Sequence, residues 1–351
     1  MSYIAKPKVH HPSLKPNAIG LTRRDYEGAI TTLCAGCGHD SITAAIIQAF
    51  WELSIAPHKV AKLSGIGCSS KTPAYFLREA HGFNSVHGRM PAVATGANAA
   101  NGDLIMIGVS GDGDSLSIGL GQLCHAIRRN VNMLYVLENN GVYGLTKGQF
   151  SASADKGSTA KKGEANAMEP IDGVLMALTL GATFVARSFS GDKDQLVPIV
   201  KAGLAHKGFA FIDVISPCVT FNDHEGSTKS YAHTREHKVE VVHADFVPLR
   251  DPIETSYPEG AVQTVTLHDG SIVKLHKVDQ DYDATNRDAA YSAIRDHQRK
   301  GEVMTGLLYI STDSRDVHDQ NETISTPLYS LPHDQLCPGN DALQKLMGQF
   351  R

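Results

Sequence analysis

An α/β fold with an open, mostly parallel sheet and helices on both faces follows from three features of the sequence. Ile105 to Ser110 is apolar and partly β-branched, the composition of a buried parallel strand. It runs into Gly111-Asp112-Gly113, helical periodicity follows through Ile118, Leu120, Leu123, Cys124 and Ile127, and Met133 to Leu137 reads as the next strand. Strand, helix and strand make a βαβ unit. Upstream, Val60 to Ser64 is a further strand, ending on Gly65-Ile66-Gly67.

The rest of the chain is organised around that unit. Residues 1–30 read as an extended arm containing Pro7, Pro12 and Pro16, and one recognisable α/β unit occupies residues 31–225. Ser151 to Ala167 is a small, polar, lysine-rich loop, either solvated or ordered by a ligand. Residues 226–351 form a C-terminal extension, expected to pack on a partner subunit. Phe221 to Lys238 has little periodicity, whereas Val262 to Leu267 and Ile272 to Val278 flank Asp269-Gly270, a hairpin signal. Asn286 to Lys300 reads as a helix, and the remainder as irregular until Asp341 to Phe350. There are no repeats and no second CxxC motif.

The chemistry concentrates where strands end. In an open α/β sheet, ligands collect beyond the carboxyl ends of the strands, where Asp112 and Asn140 both fall. Mg²⁺ prefers hard oxygen ligands and often shares them with phosphate. Asp112, the amide oxygen of Asn140 and a nearby carbonyl, that of Val142, would complement two diphosphate oxygens and a water. A dinucleotide fingerprint competes for the same glycines, but position 116 is leucine where G-x-G-x-x-G needs its third glycine, and Gly65-Ile66-Gly67 continues as Cys68-Ser69-Ser70.

Four of the six cysteines stand in contexts suited to a metal. Cys34 and Cys37 form a CxxC with Gly36 and Gly38 permitting a tight turn, while Cys68 and Cys218 sit in loops after apolar strands. A [4Fe-4S] cluster, a four-thiolate zinc site and a thioredoxin-like redox pair all fit this pattern. Cys124 and Cys337 read as incidental thiols.

The Gly-Asp-Gly turn, separated from Asn139-Asn140 by the 25 residues Asp114 to Glu138, resembles the thiamine diphosphate signature. With Cys-Ala-Gly-Cys-Gly-His at 34–39, Gly-Ile-Gly-Cys-Ser-Ser at 65–70, His87-Gly88-Arg89, Tyr-Gly-Leu-Thr-Lys-Gly-Gln at 143–149 and Ser216-Pro217-Cys218, the chain resembles the β subunits of 2-oxoacid:ferredoxin oxidoreductases across residues 30 to 225. The resemblance implies a [4Fe-4S] cluster on Cys34, Cys37, Cys68 and Cys218, and Mg²⁺ on Asp112, Asn140 and the Val142 carbonyl. It places His39, Ile66, Gly67, Ser69, His87, Gly88, Arg89, Gly111, Gly113, Asp114, Gly144, Leu145 and Thr146 near the thiamine diphosphate. It also implies oxidative decarboxylation of a 2-oxoacid to acyl-coenzyme A, reversible as reductive carboxylation, with electrons leaving through the cluster to a ferredoxin.

Within the family the sequence looks closest to 2-oxoglutarate enzymes. Lys147 is the candidate for the substrate's distal carboxylate or an anionic coenzyme A group, with His39 and Arg89 as further catalytic candidates; a surface ion pair is the simpler reading of Arg89. The glutamate that activates the cofactor is expected from an α subunit, in an (αβ)₂ assembly, against a self-sufficient homodimer using Glu52 or Glu79. A non-redox thiamine decarboxylase or synthase with structural zinc is the alternative activity.

Composition limits the alternatives. A net charge of −4 leaves no basic footprint for nucleic acid. No stretch approaches the length of a membrane span, and the N-terminus lacks an apolar signal core. A cytoplasmic protein with reduced cysteines is expected.

Overall fold

The computed structural model describes residues 13–158, 165–220, 251–268 and 271–350. Phe221 to Lys238 and the hairpin tip Asp269-Gly270 lie outside them. Among the described residues the framework is a nine-stranded sheet with strands, numbered in chain order, arranged as β2 (His81–Asn84), β1 (Val60–Ser64), β3 (Ile105–Gly111), β4 (Met133–Asn139), β8 (Phe209–Ile215), β7 (Phe184–Phe189), β11 (Val303–Ile310), β10 (Ile272–Lys277) and β9 (Val262–Thr266). From β2 to β7 every pairing is parallel. Beyond β7 the sheet changes character: β11 runs antiparallel to β7, β10 parallel to β11, and β9 closes the edge as an antiparallel hairpin with β10.

Alternation along the strands feeds two cores. On β4, Leu134 and Val136 join Ile42, Ile46 and Phe50 of α1 (Gly38–Glu52) and Leu196 and Val200 of α5 (Lys193–Ala205). Met133, Tyr135 and Leu137 point the other way, toward Met90 and Ala94 of α2 (Met90–Ala100), Leu123 and Ile127 of α3 (Leu120–Arg128), Val174 and Leu178 of α4 (Gly173–Thr179), and Ala290 and Ile294 of α6 (Arg287–Arg299). Both faces are thus covered, which explains why the central strands read as continuous apolar runs. Among the described residues no helix is long and apolar enough to cross a membrane.

Three expectations need correction. The region after Lys300 is not irregular up to Asp341: β11 occupies the sheet between β7 and β10. Gly306, at φ +128°, and a register shift between Leu307 and Tyr309 interrupt its strand pattern. The helix after Asp112 is not continuous, because Gly113–Ile118 forms a π-helical turn before α3 begins at Leu120. Ile118 consequently lies 49% exposed instead of on the apolar stripe. In the arm, residues 13–28 are strapped down: Asn17 Nδ2 donates to the Tyr26 hydroxyl and the Trp51 carbonyl, and Trp51 Nε1 donates to the Leu21 carbonyl. The far C-terminus holds short helical turns and the exposed helix Gly339–Gly348.

Candidate functional site

The carboxyl ends of β1, β3, β4 and β8 and the amino end of α1 deliver the candidate residues to one edge of the sheet. Asp112 leaves β3 fully buried. Its Oδ2 accepts hydrogen bonds from Ser151 Oγ at 2.5 Å and Ser153 Oγ at 2.6 Å, whereas its Oδ1 is buried with no partner. Burial raises its pKa despite the two hydroxyls. A dry carboxylate oxygen without a donor is costly and therefore rare. It is the position a cation would complete.

Asn140, also buried, follows β4. Its Oδ1 accepts from Val142 N at 3.1 Å, and Gly141, at φ +76°, makes the turn that brings Val142 back beside it. Asn139 supports the arrangement from behind, its Oδ1 accepting from Ser153 Oγ at 2.9 Å and its Nδ2 donating to Asp213. Close approach requires the glycines of the Gly-Asp-Gly turn. A Cβ on Gly113 would lie 2.5 Å from the Tyr143 ring, and one on Gly111 2.8 Å from Ser69 Oγ.

His39 links this cradle to the cysteines. It sits in the first turn of α1, fully buried, with Nδ1 2.6 Å from Ser216 Oγ and Nε2 3.2 Å from Ser69 Oγ and 3.5 Å from Asn140 Nδ2. Burial lowers its pKa to about 4, so the ring is neutral near pH 7. Glu138 lies 3.6 Å from His39 Nδ1, wholly buried, and Thr72 Oγ1 donates to its carboxyl oxygens. Desolvation pushes Glu138 well above the ordinary carboxylate value.

None of Cys34, Cys37, Cys68 and Cys218 forms a disulfide. A turn closed by Cys37 N donating to the Cys34 carbonyl brings the first pair together, and Thr220 Oγ1 donates to Cys34 Sγ. Burial pushes Cys37 well above the ordinary thiol value and Cys68 up to about 11; nearby Cys218 raises both further, and Cys34 adds to the effect on Cys68. Such mutual influence requires proximity, so loops from α1, β1 and β8 converge. Cys124 and Cys337 form no disulfide either, but Cys124 lies on α3 and Cys337 is exposed.

The remaining candidates divide into anchored and exposed groups. Asp114 is buried, and its oxygens are engaged by the protein itself: Oδ1 accepts from Gly88 N at 2.8 Å and lies 3.2 Å from His87 Nδ1, and Oδ2 accepts from Ser110 Oγ. A Cβ on Gly65 would come within 1.8 Å of Asp114 Oδ2. Asp114 thus pins the loops carrying Ile66, Gly67 and Gly88. His87 and Arg89 project outward, exposed.

The hairpin of β5 (Val142–Tyr143) and β6 (Gln149–Phe150) displays Leu145, Thr146 and Lys147, all exposed, while Gly144 approaches the cysteines: a Cβ there would be 3.2 Å from Cys68 Sγ. Lys147 adopts φ +80°, a left-handed conformation that costs a side-chain-bearing residue energy. Thr146 Oγ1 bonds Gln149 Oε1 across the hairpin tip.

Sequence reasoning did not find Ser151, Ser153, Thr72, Ser216 or the buried state of Glu138. The polar loop after β6 was the available signal for the two Asp112 donors. Of the glutamates considered for a homodimer, Glu52 stands at the opposite end of α1, paired with Lys201 at 2.8 Å, and Glu79 is exposed just before β2, at the amino edge of the sheet.

Comparisons with known proteins identify the family. Residues 65–214 match the family described as thiamine pyrophosphate enzyme, C-terminal TPP binding domain. The 2-oxoacid:ferredoxin oxidoreductase subunit beta of Saccharolobus solfataricus is 42% identical over 221 residues, which cover 63% of this chain and 70% of that one. The 2-oxoglutarate oxidoreductase subunit KorB of Mycobacterium tuberculosis is 39% identical over 242 residues, covering 67% and 64%. A solved 2-oxoglutarate:ferredoxin oxidoreductase from Magnetococcus marinus, with 2-oxoglutarate, coenzyme A and succinyl-CoA bound, superposes with a TM-score of 0.71 at 29% identity, covering 93% of this chain and 97% of that one. The family match and this degree of likeness place the chain among the β subunits of the 2-oxoacid:ferredoxin oxidoreductases.

Proposed function

We propose that this β subunit binds thiamine diphosphate through Mg²⁺ held by Asp112, Asn140 and the Val142 carbonyl, and a [4Fe-4S] cluster through Cys34, Cys37, Cys68 and Cys218. Together with an α subunit that supplies the activating glutamate, it converts a 2-oxoacid and coenzyme A to acyl-coenzyme A and CO₂. Electrons pass one at a time to ferredoxin, and the reaction is reversible as a reductive carboxylation. The preferred substrate is 2-oxoglutarate, in keeping with the relatives' names. The complex is an (αβ)₂ assembly in the cytoplasm.

The unpartnered Oδ1 of Asp112 carries this reading. It offers a charged oxygen at the point where a metal-bound diphosphate would sit, and two serine hydroxyls already hold the carboxylate's other oxygen. When bound, the thiazolium ring acts as the electron sink for decarboxylation. This chain's residues do the rest. His39, kept neutral by burial, fills the space between Asn140 and the cysteines without adding charge; Ser69 and Ser216 fix its ring through hydrogen bonds, and Thr72 donates to the neighbouring Glu138. Burial opposes ionisation of Cys37 and Cys68, so a metal centre that stabilises the thiolate form would draw their protons off on binding.

Lys147, exposed at the hairpin tip beside this edge, would meet the distal carboxylate of 2-oxoglutarate. The test is to assay the αβ complex, purified without oxygen, with 2-oxoglutarate, pyruvate and a branched-chain 2-oxoacid. Brown protein active on 2-oxoglutarate, with Lys147→Ala raising its KM far more than that for pyruvate, is expected. Colourless protein with stoichiometric zinc and no ferredoxin reduction would instead establish the non-redox alternative. Cys218→Ala should lose or convert the cluster signal in electron paramagnetic resonance while still binding thiamine diphosphate.

A further inference from the structure

We propose that His276, His297 and Glu302, in the antiparallel part of the sheet, form a site for a divalent transition-metal ion of the zinc class. One ligand atom from each lies within 4.8 Å of the other two. His276, on β10, is only 8% exposed, and neither of its ring nitrogens has a hydrogen-bond partner. A buried imidazole ordinarily satisfies at least its N–H, so a ring dry at both nitrogens lacks something. An ion accepting one lone pair would supply it.

The other two groups are positioned by the backbone. Gly301, at φ +72°, ends α6: Glu302 N donates to the His297 carbonyl and Gly301 N to the Gln298 carbonyl, the pair of bonds that defines a Schellman turn. That turn folds Glu302 back on His297, and their side chains meet at 2.8 Å between Oε2 and Nδ1. The parallel register of β10 and β11 pairs His276 with Met304, two residues beyond Glu302, and so brings His276 alongside. The His276 and His297 rings stack with centroids 4.0 Å apart, inclined by 25°.

Stacking alone explains the ring contact but not the two unpartnered nitrogens. Two imidazoles and one carboxylate are borderline donors that suit Zn²⁺ and its neighbours better than Mg²⁺ or Ca²⁺. Zinc with three protein ligands keeps a further position for water, and the side chains of His297 and Glu302, 15% and 18% exposed, leave that position an approach from solvent. Ligand atoms around zinc stand roughly 3.3 Å apart, from bond lengths of about 2.0–2.1 Å, so a modest splaying of the two rings completes the geometry.

The experiment uses the assembled αβ complex, equilibrated with Zn²⁺ and desalted, beside its Glu302→Gln and His297→Ala variants. Both substitutions fall on partly exposed side chains, and circular dichroism confirms that each variant folds. Wild type should retain one zinc ion per β subunit more than either variant, bind Zn²⁺ about tenfold or more tightly, and show nitrogen and oxygen ligands for that ion at the zinc absorption edge. Turnover of 2-oxoacid should be the same in all three. Equal zinc in wild type and variants, or an additional ion in a sulfur shell, would overturn the site.

Discussion

Two groups of buried acids at the same edge of the sheet are treated in opposite ways. At β7 and β8, Arg187 is held between two carboxylates, with Nε donating to Asp213 at 3.0 Å and Nη2 to Asp172 at 2.7 Å. Asp172 also caps α4 through the backbone N–H groups of Val174 and Leu175 and accepts from Gln298 Nε2. At β3 and β4, by contrast, Asp112 keeps one oxygen unpartnered, and Glu138 faces hydroxyls and a neutral imidazole without a cation. The first group is complete and serves the fold. The second lacks positive charge, which is what a site awaiting Mg²⁺ and a metal cluster would show.

Substitution can break that contrast. Asp112→Asn should have the largest effect, on turnover: loss of a metal ligand worth several kcal/mol corresponds to roughly a thousandfold or more. Folding stability should be unchanged or slightly raised, because a charge resisted by burial has been removed. A mutant with wild-type magnesium dependence would refute the assignment. Asp213→Asn should do the reverse, costing about 3–5 kcal/mol of stability by leaving Arg187 under-compensated. Denaturant unfolding reads this directly, and a loss below about 1 kcal/mol would show that the two groups are alike.

Next in size is a pH effect at His39. Its folded pKa of about 4 lies below the ordinary 6.5, so the unfolded chain binds more protons between those values. Stability is therefore full above about pH 6.5 and falls by about 3 kcal/mol as pH drops toward 4. His39→Gln should flatten that part of the acid limb. Parallel limbs in mutant and wild type would mean that the ring is not held neutral. The smallest effect belongs to the exposed rim. Lys147→Gly relieves the left-handed strain and should add about 1 kcal/mol of stability while raising the KM for 2-oxoglutarate.

The same contrast explains what could be read from the sequence. Parallel strands buried on both faces leave long apolar runs, so β3 and β4 were visible within one or two residues, and the Gly-Asp-Gly and Asn-Asn pairs at their ends located Asp112 and Asn140. Strand β11 was not visible. Its glycine and register shift mask the pattern, and its place between β7 and β10 depends on partners more than a hundred residues away in one direction. Ser151 and Ser153 belong to a loop without periodicity, and their role depends on reaching Asp112 across about forty residues of chain. No local pattern records such a contact. Glu138 stands in the sequence only as the last residue before the Asn-Asn pair, and the packed neighbours alone reveal that its carboxyl is dry.

The π-helical turn after Asp112 amounts to a surplus residue. Gly119 N reaches back five positions to the Asp114 carbonyl, and Gly119 packs so closely on Gly88 that a Cβ on either would collide with the other's backbone. In a regular helix a one-residue deletion shifts every later side chain out of register. Between Ser115 and Ile118 such a deletion would instead restore the ordinary four-residue ladder. The helix would become more regular, yet Gly119 would swing away from Gly88 and loosen the loop that carries His87 and Arg89. That extra residue is slack in the chain, taken up where the loop is fastened.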